Sequence, residues 1–177
     1  EEDIQFSYMA SNGPFCGLNK YFLPKIFESV AEPIMGNKEY EWFSNMLTFY
    51  MVDRLLNEDN LIFTMFAPSN DALRAAGYTF RTGLGGYGLY HDNNPLTPVE
   101  PTVAKSIVST HVVFGQLEEG DFEEGTFIES VQQTYIGVTA DGIYGGGDLN
   151  PAHIVGSEPV GGEGVLYRID RMLVSPD

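Results

Sequence analysis

The sequence predicts an α+β fold, with helices in the first half of the chain and antiparallel strands in the second. Two observations support this prediction. Apolar residues recur with a helical period of about 3.6 positions over residues 40–56, and a second helical pattern ends near residue 110. From residue 111 onward, apolar and β-branched runs are separated by turns that contain glycine.

Composition and charge describe a globular, strongly acidic protein. Of the 177 residues, 43% are hydrophobic and 19% are charged, which excludes a disordered chain. Nine basic and 25 acidic residues give a net charge of −16. This balance argues against binding to nucleic acid or to anionic lipid, and we interpret it as a solubility feature. The sequence contains no apolar run of about 18 residues, so membrane insertion is not predicted.

Three elements are predicted after residue 36. The apolar spacing over residues 40–56 predicts a helix, with Asn37 as a candidate cap. Residues 61–67, LIFTMFA, predict a buried strand. Ser69 has the side chain of an N-cap, so a short helix is predicted over residues 70–76.

The middle of the chain is predicted to be a loop followed by a helix. Residues 77–97 contain five glycines and are assigned to the loop. Residues 97–100, TPVE, have the form of a capping box, and the helix continues to about residue 110. His111 then opens a strand. Further strands are predicted over residues 126–131, 134–140, 142–144, 153–155 and 165–174.

An internal repeat suggests a division of the chain. Residues 13–23, GPFCGLNKYFL, align without gaps with residues 164–174, GVLYRIDRMLV, at a constant offset of 151 residues. Two unrelated strands would be the simpler explanation. The alternative is that the chain begins with the last strand of a preceding, homologous domain. On that hypothesis residues 1–36 are this strand and a linker, and residues 37–177 form one domain.

No local motif predicts catalysis or metal binding. The GLGGYG run at residues 83–88 fits a dinucleotide-binding pattern, but neither a preceding buried strand nor a following helix is predicted, so we expect a flexible loop. Residues 118–124, EEGDFEE, lack the spacing of a calcium loop and are interpreted as a solvated acidic turn. The three histidines lie far apart, and Cys16 is expected to be a buried, inert thiol. We therefore assign no catalytic residue, no metal ligand and no cofactor.

Three segments, in order, resemble the characteristic boxes of fasciclin-like domains. They are FTMFAPSNDAL at residues 63–73, IVSTHVV at residues 107–113 and GVLYRIDRMLV at residues 164–174. The resemblance covers about residues 39–176. It implies a wedge-like β-sandwich of about seven strands with several helices packed at one side. It also assigns the N-terminal copy of the repeat to a preceding fasciclin-like domain.

The resemblance implies extracellular adhesion or surface binding rather than catalysis, with a surface protein or a polysaccharide as the partner. We expect a location outside the cell or at its surface, with the periplasm or an outer-membrane lipoprotein included. Residues 1–3, EED, show no basic region followed by an apolar one, so no signal or anchor is predicted within this chain. The alternative is an enzyme or accessory subunit that acts on cell-surface polysaccharide. It would require a cleft with two facing carboxylates and stacking aromatic rings.

The resemblance further implies candidate binding residues in the central segment, namely His111, Val112 and Val113. Some animal members of the family contact integrins through a Tyr-His pair at this place, whereas Thr110 precedes the histidine here. Two hypotheses for His111 remain open. It either contacts a ligand at the surface or hydrogen-bonds buried backbone where the helix meets the strand.

Overall fold

A computed structural model describes residues 29–146 and 150–173 in full, and residues 4–10 and 13–18 by their backbone. The prediction for the Cys16 side chain lies outside this description. The strands, in chain order, are β1 (Ile4–Ala10), β2 (Gly13–Leu18), β3 (Phe63–Pro68), β4 (Tyr78–Arg81), β5 (Gly88–His91), β6 (Asn94–Pro98), β7 (Val112–Phe114), β8 (Phe127–Glu129), β9 (Tyr135–Thr139), β10 (Gly142–Gly145), β11 (Ile154–Val160) and β12 (Gly164–Ile169). The α-helices are α1 (Glu41–Phe49), α2 (Asp53–Leu56), α3 (Asn70–Ala75) and α4 (Pro101–Thr110), and short 3-10 helices occupy Glu32–Ile34 and Glu119–Asp121.

Ten strands between residues 29 and 173 form three sheets, whereas about seven strands were expected. The largest sheet has the order β11-β12-β3-β7, the second β10-β9-β8 and the third β4-β5-β6. In the largest sheet β12 runs parallel to β3, and its other pairs are antiparallel. The predicted α+β, sandwich-like fold is thereby confirmed. Among the described residues, no helix has the length and apolar character needed to span a membrane.

Two hydrophobic cores lie on opposite faces of the largest sheet. Phe63 and Met65 of β3 point into the core that contains the helices, while Phe66 points into the core that contains β9 and β10. Because side chains alternate along a strand, every residue of β3 is buried from one side or the other. This is why residues 61–67 read as a continuous apolar run.

The start of α3 confirms the predicted N-cap. Ser69 has an extended backbone, and its Oγ accepts a hydrogen bond of 3.1 Å from the Ala72 N–H. One of the free N–H groups of the first helical turn is thereby satisfied. The next residue, Asn70, has a different role. Its Oδ1 accepts from the Trp42 N–H at 3.0 Å and its Nδ2 donates to the Lys38 carbonyl at 2.8 Å, so it caps α1. The predicted cap Asn37 does not fill that position, which Tyr40 occupies without a side-chain bond.

The single helix predicted over residues 40–56 is wrong, because the helix stops at Phe49 and restarts at Asp53. Met51 has a left-handed backbone with φ of +59°. The Val52 N–H bonds the Leu47 carbonyl and the Met51 N–H bonds the Thr48 carbonyl, which is the Schellman arrangement. Glycine usually takes the left-handed position. A methionine there gives no sequence signal for a helix end.

The loop predicted over residues 77–97 is also wrong, because these residues form most of the sheet β4-β5-β6. Tyr78 pairs with His91 and Arg81 with Gly88 across the β4–β5 hairpin. β4 is mostly half-buried, β6 is exposed and the buried β5 has only four residues, so none of the three has a long apolar pattern. Pairing with a neighbouring strand, rather than local propensity, decides their conformation.

The predicted capping box at residues 97–100 is absent. Thr97 lies in β6, and α4 begins at Pro101 after Glu100, which makes no side-chain cap bond. Proline at the first helical position has no N–H to satisfy, so the helix starts without the box. The predicted strands of the second half are present, although β11 extends to Val160 and β12 ends at Ile169 rather than at residue 174.

Candidate binding surface

His111 lies at the end of α4, and its side chain is fully buried. Its Nε2 accepts a hydrogen bond of 2.9 Å from the Leu173 N–H, which leaves Nδ1 to donate to the Ile107 carbonyl at 2.8 Å. The edge of the ring faces Phe43, with centroids 5.5 Å apart. Burial penalises the charged imidazole and lowers the pKa of His111 to about 4. At neutral pH the ring is therefore uncharged, and both of its nitrogens are hydrogen-bonded to backbone groups.

The neighbouring valines are buried as well. Val112 belongs to the helical core, and Val113 belongs to the core on the other face of the sheet. The structure thus places all three predicted binding residues inside the domain, with Phe114 as the first exposed residue of the strand. Their role in binding stays a prediction. A different part of the surface exposes several large apolar side chains.

Five large apolar side chains are exposed on adjoining elements, and we call this set the neutral surface. They come from the end of α1, from the β4–β5 loop and from β6. The residues are Phe49, Met51, Leu84, Tyr87 and Leu96. Residues 77–98 carry one acidic and one basic residue, in a chain that carries 25 acidic and nine basic ones. Most of the neutral surface thus comes from residues 77–98, a segment with few charged residues and no net charge in a strongly acidic protein.

Aromatic contacts fix the end of α1 against the three-stranded sheet. The ring of Phe49 meets the ring of Phe80 on β4 edge to face, with centroids 5.8 Å apart. Beside it, the buried Tyr50 hydroxyl accepts a hydrogen bond of 2.8 Å from the Leu89 N–H on β5. Burial, as the largest effect, raises the pKa of Tyr50, so its hydroxyl keeps its proton at neutral pH. The partly exposed Phe49 ring therefore packs against β4, beside a tyrosine that is hydrogen-bonded to β5.

The β4–β5 loop is shaped by two glycines that have positive φ values. A side chain at Gly86 would collide with the Tyr90 hydroxyl, and one at Gly88 would come within 3.2 Å of the Tyr50 hydroxyl. Arg81 lies over the Tyr90 ring at 4.1 Å from its centroid, and its Nη1 donates to the Pro95 carbonyl at 3.0 Å. These contacts bring the loop close to the sheet and leave Leu84 and Tyr87 at its outside. As predicted, no helix follows the glycine pattern, since β5 begins at its last glycine.

A second aromatic surface lies on the outer face of β8-β9-β10. Phe127 and Tyr144 lie opposite Gly137 from its two sides. The Tyr144 ring lies across Gly137, where any side chain would overlap with it. Phe127 and the nearby Tyr135 are exposed. We call these residues the aromatic sheet face.

A polar cavity of about 350 Å³ lies beside α2, lined by Ser29, Leu56, Asn57, Glu58, Asp59, Asn60 and Glu163. Its lining carries three carboxylates and no aromatic ring. The acidic run at residues 118–124 is an exposed turn, in which Glu118 and Asp121 cap each other's backbone. Within residues 29–146 and 150–173, no group of three or more acidic, histidine or cysteine side chains is arranged to hold a metal ion.

The fold is an α+β domain that exposes large apolar residues near the end of α1, in the β4–β5 loop and on β6. The chain belongs to the fasciclin domain family, whose family model matches residues 38–175. Domains of this family are generally non-catalytic, adhesion-related modules of extracellular or surface proteins. The neutral surface could not be recognised from the sequence, because the sequence predicts a loop over residues 77–97.

Among solved structures, the chain is similar to a pair of fasciclin domains from the insect cell adhesion molecule fasciclin I. The TM-score is 0.53 at 18% sequence identity, and the match covers 77% of this chain. It covers 45% of the insect chain, so this chain spans less than half of that structure. A search of curated proteins finds no match. The similarity therefore supports the fold.

Proposed function

We propose that the chain is a non-catalytic adhesion module, outside the cell or at its surface, that binds a protein through the neutral surface. The observation that carries the proposal is the near absence of charge over residues 77–98 beside exposed Leu84, Tyr87 and Leu96. The cores of protein interfaces are depleted in charged side chains and enriched in aromatic residues, methionine and arginine. Of the five residues of the neutral surface, Phe49 and Tyr87 are aromatic and Met51 is a methionine.

Charge also indicates the character of the partner. The residues outside 77–98 carry the whole net charge of −16. A partner with an apolar patch and a basic rim would bury its apolar patch on the neutral surface and attract the acidic surroundings. We therefore propose a surface protein of this kind. The binding segment expected at Val112 and Val113 would reach such a partner only through exposed neighbours, such as Phe114.

The enzymatic alternative receives less support. Acid–base hydrolysis of a polysaccharide requires two carboxylates beside the bound sugar. Glu58, Asp59 and Glu163 line the cavity beside α2, but its lining offers no aromatic ring on which a sugar could stack. We propose no catalytic role for these carboxylates.

Bead adhesion tests the proposed function. Beads coated with the chain are allowed to bind to whole cells of the organism that produces it, and bound beads are counted. We expect Leu84→Asp to reduce binding by about tenfold or more, since a loss of about 1.4 kcal/mol gives that factor. Leu84 is fully exposed, so its replacement leaves the core intact. Phe127→Asp, on the aromatic sheet face, is the matched control and should bind like the parent.

Treating the cells before the assay identifies the class of partner. Trypsin removes protein partners, and periodate oxidises the vicinal diols of glycans. The proposal expects binding to be lost after trypsin and kept after periodate. Binding that survives trypsin and does not depend on Leu84 would contradict it.

The aromatic sheet face supports a second candidate function, the binding of a neutral glycan. The Tyr144 ring lies across Gly137, and Phe127 pairs with this glycine from the other neighbouring strand. Flat aromatic rings pack against the apolar face of a sugar, and Glu129 beside Tyr135 offers a hydrogen-bond acceptor. A glycan array of the whole chain tests this candidate. Binding that is lost in Tyr144→Ala and kept in Leu84→Asp would favour it over the first.

A further inference from the structure

The N-terminal hairpin repeats the geometry of the hairpin that closes the domain. β1 and β2 contain seven and six residues, and so do β11 and β12. Next to the turn of the N-terminal hairpin, Ala10 pairs with Gly13. Next to the turn of the closing hairpin, Val160 pairs with Gly164. The two segments that align in sequence, residues 13–23 and 164–174, therefore also pair in the same way with a preceding strand. That preceding strand is β1 in the N-terminal hairpin, and it was not evident from the sequence.

Both hairpins also share an irregularity at the same step of the ladder. In the N-terminal hairpin the register shifts between Ile4 and Phe6. In the closing hairpin it shifts between Ile154 and Gly156, at the corresponding pair. A β-bulge is a specific local feature that related folds retain. Its recurrence indicates that the two hairpins are copies of one structural unit.

In the complete domain, the second strand of this unit has two partners. β12 pairs with β11 on one side and, in parallel, with β3 on the other, where Gly164 lies opposite Phe63. Among the described residues, β2 pairs with β1 alone. The edge of β2 that corresponds to the β3-facing edge of β12 thus presents backbone groups to which a parallel strand could bond, except that Pro14 has no N–H to donate.

A glycine gives independent support for a missing parallel neighbour. Gly164 has φ of +128°, and a Cβ there would overlap with the Phe63 carbonyl oxygen. Only glycine allows β3 to approach β12 this closely. The repeat places Gly13 at the corresponding position of β2. Glycine within a strand often marks a place where another backbone approaches closely, and a neighbour of this kind would account for Gly13.

We propose that β2 is a strand-accepting edge, and that its partner is a parallel strand of the β3 type from a second fasciclin domain, N-terminal to β1 in the same polypeptide. The hairpin then completes the four-stranded sheet of that domain. By the register of β12 with β3, a residue of the Phe63 type lies opposite Gly13, and one of the Phe66 type lies opposite Cys16. This proposal does not depend on the function proposed for the neutral surface. It is consistent with the hypothesis that residues 1–36 are the last strand of a preceding domain and a linker.

Cys16, the single cysteine of the chain, makes the register testable. The probes are peptides with the sequence of residues 60–69, each carrying one activated cysteine as a mixed disulfide, at Phe66→Cys, Met65→Cys or Ala67→Cys. Their disulfide exchange with the whole chain is timed. We expect the Phe66→Cys peptide to react about tenfold faster, because paired residues of neighbouring strands lie within disulfide distance. Residues adjacent to it point to the opposite face of the sheet.

Two variants of the chain serve as a matched pair. Gly13→Val should abolish the advantage of the Phe66→Cys peptide, since its side chain meets the incoming backbone. Gly17→Val should retain it, because the counterpart of Gly17 is Arg168, which carries a side chain beside β3. Equal rates for the three peptides, or equal effects of the two variants, would overturn the strand-accepting edge.

Sedimentation of the chain distinguishes the source of the strand. The proposal expects a monomer over the accessible concentration range, because the partner strand belongs to the preceding domain. A concentration-dependent dimer that Gly13→Val abolishes would assign the edge to a second copy of this chain, and would overturn the placement in the same polypeptide.

Discussion

The imidazole Nε2 of His111 accepts a hydrogen bond of 2.9 Å from the backbone N–H of Leu173, 62 residues further along the chain. The same ring donates from Nδ1 to the Ile107 carbonyl of α4. One buried side chain thus joins the end of a helix to the segment that follows β12. The contact agrees with the structural hypothesis for His111, although the predicted partner was the adjoining strand.

The uncharged state of His111 predicts a pH dependence of stability. The unfolded imidazole titrates near pH 6.5, whereas the folded pKa is about 4. Between these values the unfolded chain binds more protons, so the free energy of unfolding decreases as the pH falls. The contribution is complete above about pH 6.5, and about 3 kcal/mol of it is lost by pH 4. Urea unfolding of the parent from pH 7.5 to 4.5 measures this loss.

The variant His111→Gln is the control, because it removes the titrating group. Its free energy of unfolding should be about 1–3 kcal/mol lower at neutral pH and should depend less on pH than that of the parent. Identical pH profiles for parent and variant would contradict the assignment. An NMR titration in which His111 has a pKa at or above about 6.5 would do the same.

The Ser69 cap predicts a specific loss of stability. Ser69→Ala removes the acceptor of the Ala72 N–H and should lower the free energy of unfolding by about 1 kcal/mol. Ser69→Asp keeps an acceptor at the same place and should retain most of the stability. Denaturant unfolding that shows the same stability for both variants would be inconsistent with a capping role.

Asn70 predicts a different pattern, because its side chain both accepts and donates across 28 and 32 residues of sequence. Asn70→Ala should cost about 1–3 kcal/mol, since the Trp42 N–H and the Lys38 carbonyl both lose their partner. Asn70→Asp keeps the acceptor and loses the donor, so its stability should lie between those of the parent and the alanine variant. Hydrogen exchange of the Trp42 amide should accelerate in Asn70→Ala. An unchanged exchange rate would mean that α1 does not depend on this cap.

Met51 predicts a stabilising substitution. A side chain with a Cβ in the left-handed region costs about 1–2 kcal/mol, and glycine avoids this cost. Met51→Gly should therefore raise the free energy of unfolding by up to about 1 kcal/mol, after the greater entropy of glycine in the unfolded chain is included. Met51→Ala removes most of the exposed side chain but keeps the Cβ. It therefore separates the effect of backbone strain from the effect of losing side-chain contacts. If the glycine variant is no more stable than the alanine variant, the strain is absent.

The repeat of residues 13–23 in residues 164–174 predicts that the N-terminal segment can be removed. Among the residues described with their side chains, those of both hydrophobic cores lie between Val30 and Leu173. Deleting residues 1–24 should thus leave a folded domain with a melting temperature similar to that of the whole chain, as calorimetry can measure. A large decrease would show that these residues contribute to the stability of this domain.

Elements with a strong local signal were predictable from the sequence. Residues 61–67 form a central strand whose two faces are both buried, which produces an unbroken apolar run. Ser69 marks a helix start because its short side chain bonds within its own first turn. The α+β order and the turns of the second half follow from patterns of the same local kind.

The candidate site depended on contacts that only the tertiary structure provides. The strands of β4-β5-β6 have weak local patterns, and their pairing exposes Leu84, Tyr87 and Leu96 on one neutral region. The Tyr50 hydroxyl, at the end of α1, bonds the Leu89 N–H, 39 residues away in sequence. Local sequence determines which segments become helices and strands, because capping and periodicity act within one turn or one strand. Pairing, burial and the placement of a surface involve residues distant in the chain, so the packing of the whole domain decides them.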